Sequence, residues 1–288
     1  AGITAAIYAK RANLNVAVVE KEYLGTGQIA ESSRVDNYPG IPGIDGYSLG
    51  EKFREHAESL GVEFTEAQVL SLGQKDGIWI IGCDEDITLE SKAVIYATGC
   101  KNRPLGVPGE EKYYGRGLSF CAVCDGAFYK GKRVAVIGGG DTALDDAMYL
   151  SDICEKVYLV HRREFFRGSA STLEKLKQKE NVEIIVNARV EEITGDKKID
   201  GIILDNKTKL NISGLFAAVG MIPQTELLKE FGVLDESNYV KASEDTKTTV
   251  NGLFAAGDVR TKQLRQVVTA AADGANAIYS VMEYLRNI

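Results

Sequence analysis

Histidine is nearly absent from this chain, with two residues in 288, and there are only five prolines and one tryptophan. So few imidazoles leave little from which to build a zinc site or a histidine-based hydrolase. Also missing is any apolar run near the roughly 18 residues that a membrane span needs. Nothing at the start resembles a secretory signal. The five cysteines, an odd number at irregular spacings, do not form the disulfide framework of a small secreted domain. In a reducing cytoplasm, where these absences place the chain, two close cysteines point to catalysis or to a metal. The formal net charge of −7 argues against nucleic acid or an anionic membrane as the main partner. What is present is ordinary: 44% hydrophobic and 26% charged residues, the composition of a globular protein. For this length two domains are expected.

The chain opens without an initiator methionine, and Ala1-Gly2-Ile3-Thr4-Ala5-Ala6-Ile7-Tyr8-Ala9 reads as the inside of a helix. The expectation is that the natural N-terminus lies upstream. After this helix comes a β-branched strand, Val16–Val19, ending in Glu20. A second unit of the same kind begins with Arg133-Val134-Ala135-Val136-Ile137, a buried-strand pattern. It passes through Gly138-Gly139-Gly140-Asp141-Thr142-Ala143 into a helix reaching about Leu150, and then into the strand Val157–Val160. The duplication predicts two nucleotide-binding domains of related architecture. Pro104 and Pro108 mark an extended crossover near 101–109, and Pro223 marks a second break. The simplest organisation is one domain inserted into another. The outer domain would comprise 1–105 and 229–288, and the inner one 106–228. Strands are also expected near 62–64, 78–83, 93–97 and 252–258, with helices at about 49–60 and 267–285.

Gly138-x-Gly140-x-x-Ala143 lies between a strand and a helix, the context in which such a pattern cradles a pyrophosphate on a helix N-terminus. Asp141 and Thr142 complete that turn. At the end of the next strand an NAD site would carry an acid. This chain has His161-Arg162-Arg163 and then Arg167, groups that hold a 2′-phosphate through charge-assisted bonds. NADPH is therefore the expected nucleotide; the bland alternative is a solvated basic loop, and His161 alone could simply pack. The first unit ends instead in Glu20, eighteen positions after Gly2. That separation suits a ribose-binding acid, as for the adenosine half of FAD, although a strand-end Glu is also common on surfaces.

Cys121-Ala122-Val123-Cys124-Asp125-Gly126 is the chemical centre. Two thiols separated by two residues can close into a disulfide in the first turn of a helix. A zinc site is the competing reading, but it needs four ligands, and Cys83, Cys100 and Cys154 are isolated. No metal is expected. Asp125 suits the acid–base handling of a thiol proton or, alternatively, a turn or N-cap carboxylate.

Taken in order, these motifs resemble the low-molecular-weight, bacterial-type thioredoxin reductases over the whole chain. The resemblance rests on Gly2 to Glu20, Cys121 to Gly126, Gly138 to Arg167, and Gly257-Asp258 with Arg265-Gln266. Gly27-Gln28, Asn37-Tyr38-Pro39-Gly40 and Ala97-Thr98-Gly99 also match family positions. It implies an α/β fold of two Rossmann-like, three-layer ββα domains, with the NADPH domain inserted into the FAD domain, and a homodimer. It assigns FAD contacts to Gly2, Glu20, Gly27, Gln28, Asn37, Ala97, Thr98, Gly99, Gly257, Asp258, Arg265 and Gln266. NADPH contacts fall to Gly138, Gly140, Asp141, Thr142, Ala143, His161, Arg162, Arg163 and Arg167. In the implied mechanism NADPH reduces FAD, FAD reduces the Cys121–Cys124 disulfide, and the dithiol reduces thioredoxin or a similar small redox protein. Cys124 would face the flavin, Cys121 would attack the partner, Asp125 would serve as acid–base, and the inner domain would rotate between the two steps.

The position of the pair, just before the NADPH strand, is shared with the flavoprotein of alkyl hydroperoxide reductase, so a peroxiredoxin or glutaredoxin-like acceptor is an alternative. A non-enzymatic nucleotide-binding redox sensor is another. Two departures stand out: Ala127 precedes Phe128 and Tyr129 where many members have a further aromatic, and Leu264 precedes Arg265 where many have Tyr. Because the strand and glycine turn of the first fingerprint are not in the sequence, residues 1–288 alone are expected to hold FAD weakly.

Overall fold

The computed structural model describes residues 1–22, 27–32 and 34–288. The chain forms two compact units, one interrupting the other: Ala1–Lys101 with Ile222–Ile288, and Asn102–Met221.

In the first unit, helix α1 (Gly2–Arg11) is buried on more than one side. Ile3, Ala6 and Ile7 pack with Ala57 and Val62, whereas Ala5 and Ala9 pack with Ile278. Small residues on that second face let another helix approach closely. Lys10 and Arg11 lie in the last turn, where cations suit the helix dipole, and Asn13 leaves the helix with φ 57°. Strand β1 (Ala17–Glu20) follows. Helix α2 (Gly46–Ser59) starts at Asp45, whose carboxylate accepts the Ser48 amide at 2.9 Å, an N-cap that satisfies an otherwise free donor. Strand β2 (Glu63–Glu66) then pairs in parallel with β1, setting Glu20 opposite Glu66. Strands β3 (Val69–Lys75), β4 (Ile78–Cys83) and β5 (Thr88–Ser91) make an antiparallel sheet. Next come β6 (Val94–Tyr96) and the crossing strand β7 (Cys100–Asn102).

The second unit runs through β8 (Leu118–Ser119), α3 (Ala122–Asp125), β9 (Arg133–Gly138), α4 (Asp141–Ile153), β10 (Lys156–His161) and α5 (Ala170–Lys177). It continues with β11 (Val182–Val186), β12 (Val190–Thr194), β13 (Gly201–Leu204), β14 (Lys209–Asn211) and β15 (Gly214–Ala218). Strands β11-β10-β9-β15-β8 form a parallel sheet in that order. Its central strand β9 is buried from Val134 to Gly138, the continuous apolar pattern of a strand covered on both faces. Side chains alternate between two cores. Val134 and Val136 pack with Leu144, Leu150 and Leu176 of the helices. Ala135 and Ile137 pack with Ile202, Leu204 and Leu210 of the antiparallel sheet β12-β13-β14. The unit is thus three layers: helices, parallel sheet, antiparallel sheet.

The return strand β16 (Met221–Pro223) pairs with β7, so the two crossings run side by side. The cuts between units pass through this pair, a few residues before the breaks expected at 105 and 228. Strand β17 (Leu253–Ala255) pairs in parallel with β6. Helix α6 (Val267–Leu285) closes the first unit with a capping box between Gln266 and Thr269. It packs against α1 at Gly274, where a Cβ would come within 2.8 Å of the Ala5 nitrogen. Among the described residues, no helix is long and apolar enough to cross a membrane.

Candidate active site

In the second unit Cys121 and Cys124 are joined as a disulfide, with their Cα atoms 5.3 Å apart. Cys121 caps α3 from an extended backbone, and its sulfur accepts the Cys124 amide at 3.2 Å. Ala122 is fully buried among the residues of α4, while Val123 is 57% exposed. The pair is therefore pinned from below and open above. The pinning depends on Gly126: a Cβ there would stand 2.7 Å from Tyr149 and 3.0 Å from Leu150, so only glycine lets α3 lie this close to α4. Tyr129 anchors the other end by packing edge-on to Phe216, with ring centroids 5.3 Å apart.

Asp125 points into the protein. Its Oδ2 accepts the Ser119 hydroxyl at 2.6 Å, and the same Ser119 oxygen accepts the Cys121 amide at 3.1 Å. Burial holds the carboxyl above the usual carboxylate range, and the Ser119 bond works against that rise. A carboxyl raised in this way and linked through one hydroxyl to the disulfide segment is placed to exchange a proton with it.

The glycine turn after β9 meets the loop after β10. The Arg167 and Gly168 amides donate to the Gly139 carbonyl at 2.7 and 3.2 Å, and the Ser169 amide donates to Asp141 Oδ1 at 2.7 Å. A side chain on Gly139 would strike the imidazole of His161. That ring is buried, packs at a tilt against Phe166 with centroids 4.9 Å apart, and has Nε2 3.2 Å from the Phe165 carbonyl. His161 thus braces the turn, and burial, with the neighbouring arginines adding to it, lowers its pKa. Arg162, Arg163 and Arg167 are exposed, and among the described residues they make no ion pair. An exposed arginine loop whose backbone is tied to the glycine turn, with nothing within 4 Å of where a Gly140 Cβ would lie, suits a bound phosphate.

In the first unit the expected residues gather at the carboxyl ends of β6 and β17, where α/β sheets hold ligands. Gly2 begins α1, and a Cβ on it would touch Ala97 at 3.5 Å. Gly257 turns with φ 82°. Asp258 follows; its carbonyl accepts Cys100 Sγ at 2.9 Å and Arg265 Nε at 3.3 Å. The Arg265 guanidinium lies 4.2 Å from the centre of the Tyr239 ring. Gln266 accepts the Asn37 side-chain amide at 2.7 Å, and Thr98 donates to the Gln224 carbonyl at 2.6 Å. Asp258 Oδ1 is buried and has no hydrogen-bond partner among the described residues, and burial raises the carboxyl's pKa. A buried acceptor without a donor is costly unless a ligand supplies one. Glu20 ends β1 and accepts the Glu22 amide at 3.3 Å, and Gly27 and Gln28 belong to a short 3-10 turn.

The pyridine nucleotide-disulphide oxidoreductase family model matches residues 1–274. The chain belongs to this family. It is 37% identical to the thioredoxin reductase of Bacillus subtilis over 100% of this chain and 92% of that one. It is 38% identical to a 34.2 kDa protein in the rubredoxin operon of Clostridium pasteurianum, over 99% of this chain and 94% of that one. The crystal structure of thioredoxin reductase from Streptococcus pyogenes superposes with a TM-score of 0.93 at 38% identity, covering 100% of this chain and 95% of that one. The enzyme from Giardia duodenalis gives 0.90 at 37%, covering 99% and 95%. The family establishes an oxidoreductase whose fold combines two nucleotide-binding domains, as the duplicated helix-then-strand pattern predicts, and the Cys121–Cys124 disulfide fits its redox centre.

Several partners in this oxidoreductase escaped sequence reasoning. Ser119 sits six positions from Asp125, Tyr239 is far from Arg265, and Asn37 meets Gln266 across most of the chain. No local spacing announces such pairs. Asp146 of α4 is another case. Burial, with Asp145 beside it, pushes its carboxyl up to about 7. An unfolded Asp titrates near 3.9, so ionised Asp146 disfavours the folded state, and stability falls as pH rises from about 4 to about 7. Asp146→Asn is expected to add on the order of 2–4 kcal/mol at about pH 8 and nothing below about pH 4. Urea unfolding at both pH values checks this, and a gain independent of pH would contradict the assignment.

Proposed function

We propose that this protein is an NADPH-dependent thioredoxin reductase, an FAD flavoprotein working as a homodimer in a reducing cytoplasm. The observation that carries the reading is the Cys121–Cys124 disulfide lying within the same compact unit as the three exposed arginines of the loop after β10. The other unit has a buried carboxylate oxygen, Asp258 Oδ1, lacking a donor among the described residues.

Asp258, Arg265 and Gln266, with Gly2, Ala97 and Gly99, would hold FAD, and hydroxyl groups of the cofactor would supply the donor that Asp258 Oδ1 lacks. Bound there, FAD supplies a two-electron path between NADPH and the disulfide. Arg162, Arg163 and Arg167 hold the 2′-phosphate, and Gly138–Ala143 receives the pyrophosphate at the start of α4. When Cys121 and Cys124 have taken up two electrons, the Cys124 amide favours the thiolate at Cys121 by donating to its sulfur. That thiolate attacks the thioredoxin disulfide; one S–S bond forms, one breaks, and the departing thiolate takes a proton. Cys124 then attacks the mixed disulfide, releasing the second thioredoxin sulfur and restoring the Cys121–Cys124 bond. Asp125, linked to the pair through Ser119, gives and accepts the protons. Val123 and Phe128, both exposed beside the pair, offer the partner an apolar contact.

The test is NADPH-dependent reduction of a panel of thioredoxins by the full-length, FAD-loaded protein. Turnover of at least one thioredoxin with NADPH preferred to NADH is expected. Turnover confined to glutaredoxin-like or peroxiredoxin-linked acceptors would move the assignment to those partners, and bound flavin with no acceptor at all would favour a sensor.

A further inference from the structure

Helix α6 carries a carboxylate where a buried helix ordinarily presents an apolar side chain. Asp273 is almost wholly buried, and so are the two cations it meets, Arg260 and Lys262. Its Oδ1 accepts Arg260 Nη2 at 2.6 Å. Its Oδ2 accepts Arg260 Nε at 2.7 Å, Lys262 Nζ at 2.9 Å and the Gly257 amide at 2.8 Å. Arg260 reaches further, donating from Nη1 to the carbonyls of Thr261 and Ala242 at 3.0 and 3.3 Å. Buried ion pairs of this kind repay their desolvation only when every member is paired, and apolar side chains of similar volume usually do as well for stability. What the cluster adds is position. It ties the Gly257–Asp258 turn to α6, which begins directly after Arg265 and its N-cap Gln266.

Resting on the reading of this protein as an FAD enzyme, we propose that Asp273 is a positioning residue for the flavin site. It touches no cofactor itself. It fixes the Gly257–Asp258 turn against the Arg265–Gln266 helix start, and it engages Arg260 and Lys262 so that Asp258 stays available for the cofactor. The charges make the second role specific. Arg260 and Lys262 provide two buried positive charges, of which Asp273 neutralises one, and Asp258 lies within electrostatic reach of Lys262. Removing the Asp273 charge leaves Asp258 as the nearby carboxylate for those cations. Its donor-free Oδ1 would turn to them and be lost to FAD.

The experiment titrates FAD into full-length apoenzyme by fluorescence and measures the melting temperature of the apoenzyme. Asp273→Asn is expected to weaken FAD binding at least tenfold. Lys262→Met, which leaves the Arg260–Asp273 pair intact, is expected to weaken it less than threefold. The double variant should recover part of the Asp273→Asn loss, because one competitor for Asp258 has gone. If Asp273→Asn does not fold, Asp273→Glu carries the test: it keeps the charge, displaces the carboxylate by one methylene, and should still weaken FAD binding several-fold. A purely structural Asp273 would lower the apoenzyme melting temperature and leave FAD affinity unchanged in the folded variants; that result overturns the inference. Wild-type protein that binds no FAD would instead overturn the reading on which it rests.

Discussion

Serine at Cys121 or at Cys124 is expected to cut thioredoxin reduction by roughly a thousandfold or more, while NADPH still reduces the bound flavin at near its normal rate. A serine hydroxyl stays protonated at neutral pH, whereas a thiol ionises readily and its thiolate is the attacking species. Losing Cys121 removes the attacking sulfur. Losing Cys124 strands the enzyme as a mixed disulfide that nothing resolves. The two variants should therefore differ in what accumulates: Cys124→Ser traps a covalent complex with thioredoxin and Cys121→Ser does not. Neither change should unfold the protein, since both positions are half-buried and the supporting contacts belong to Ala122 and Gly126. Stopped-flow absorbance for the flavin and non-reducing gels for the complex make the measurement. Substantial turnover by either variant would sink the assignment of this pair.

Replacing Arg162, Arg163 and Arg167 together by glutamine is expected to raise the KM for NADPH more than tenfold and to change the KM for NADH little. A hydrogen bond to a charged group contributes about 1.5–3 kcal/mol. A tenfold change in affinity needs only about 1.4 kcal/mol, so even solvent-weakened contacts at these exposed side chains suffice. Three charges leave one loop, but the loop itself should keep its shape, because its backbone is tied to Gly139 and its inner face to His161 and Phe166. Steady-state kinetics with both nucleotides provides the check. Equal effects on the two would mean that the arginines do not meet a 2′-phosphate.

Much of the second unit was legible because its signals are local. Arg133–Ile137 is an apolar strand with a glycine turn immediately after it, and turn, helix and arginine loop lie within some thirty residues. The antiparallel sheets were harder. Strand β3 contains Gly73 and shifts register between Val69 and Ser71, and β12 carries Glu191 and Glu192 across a similar irregularity. A bulge breaks the two-residue alternation on which strand recognition depends. Strand β8 is two residues long and has no period at all.

The sequence by itself determined the chemistry: two sulfurs three positions apart, a glycine turn between a strand and a helix, and basic rather than acidic residues at the next strand end. Each is a property of neighbours along the chain, so it survives without a fold. Only the tertiary structure decided which groups serve them. Ser119 links Asp125 to the disulfide segment, Tyr239 supports Arg265, and Asp273 holds Gly257 with Arg260 and Lys262. It also left Asp258 Oδ1 buried without a donor among the described residues. Burial and long-range pairing assign these roles, because a carboxylate in water is ordinary and the same carboxylate inside the protein must find a partner.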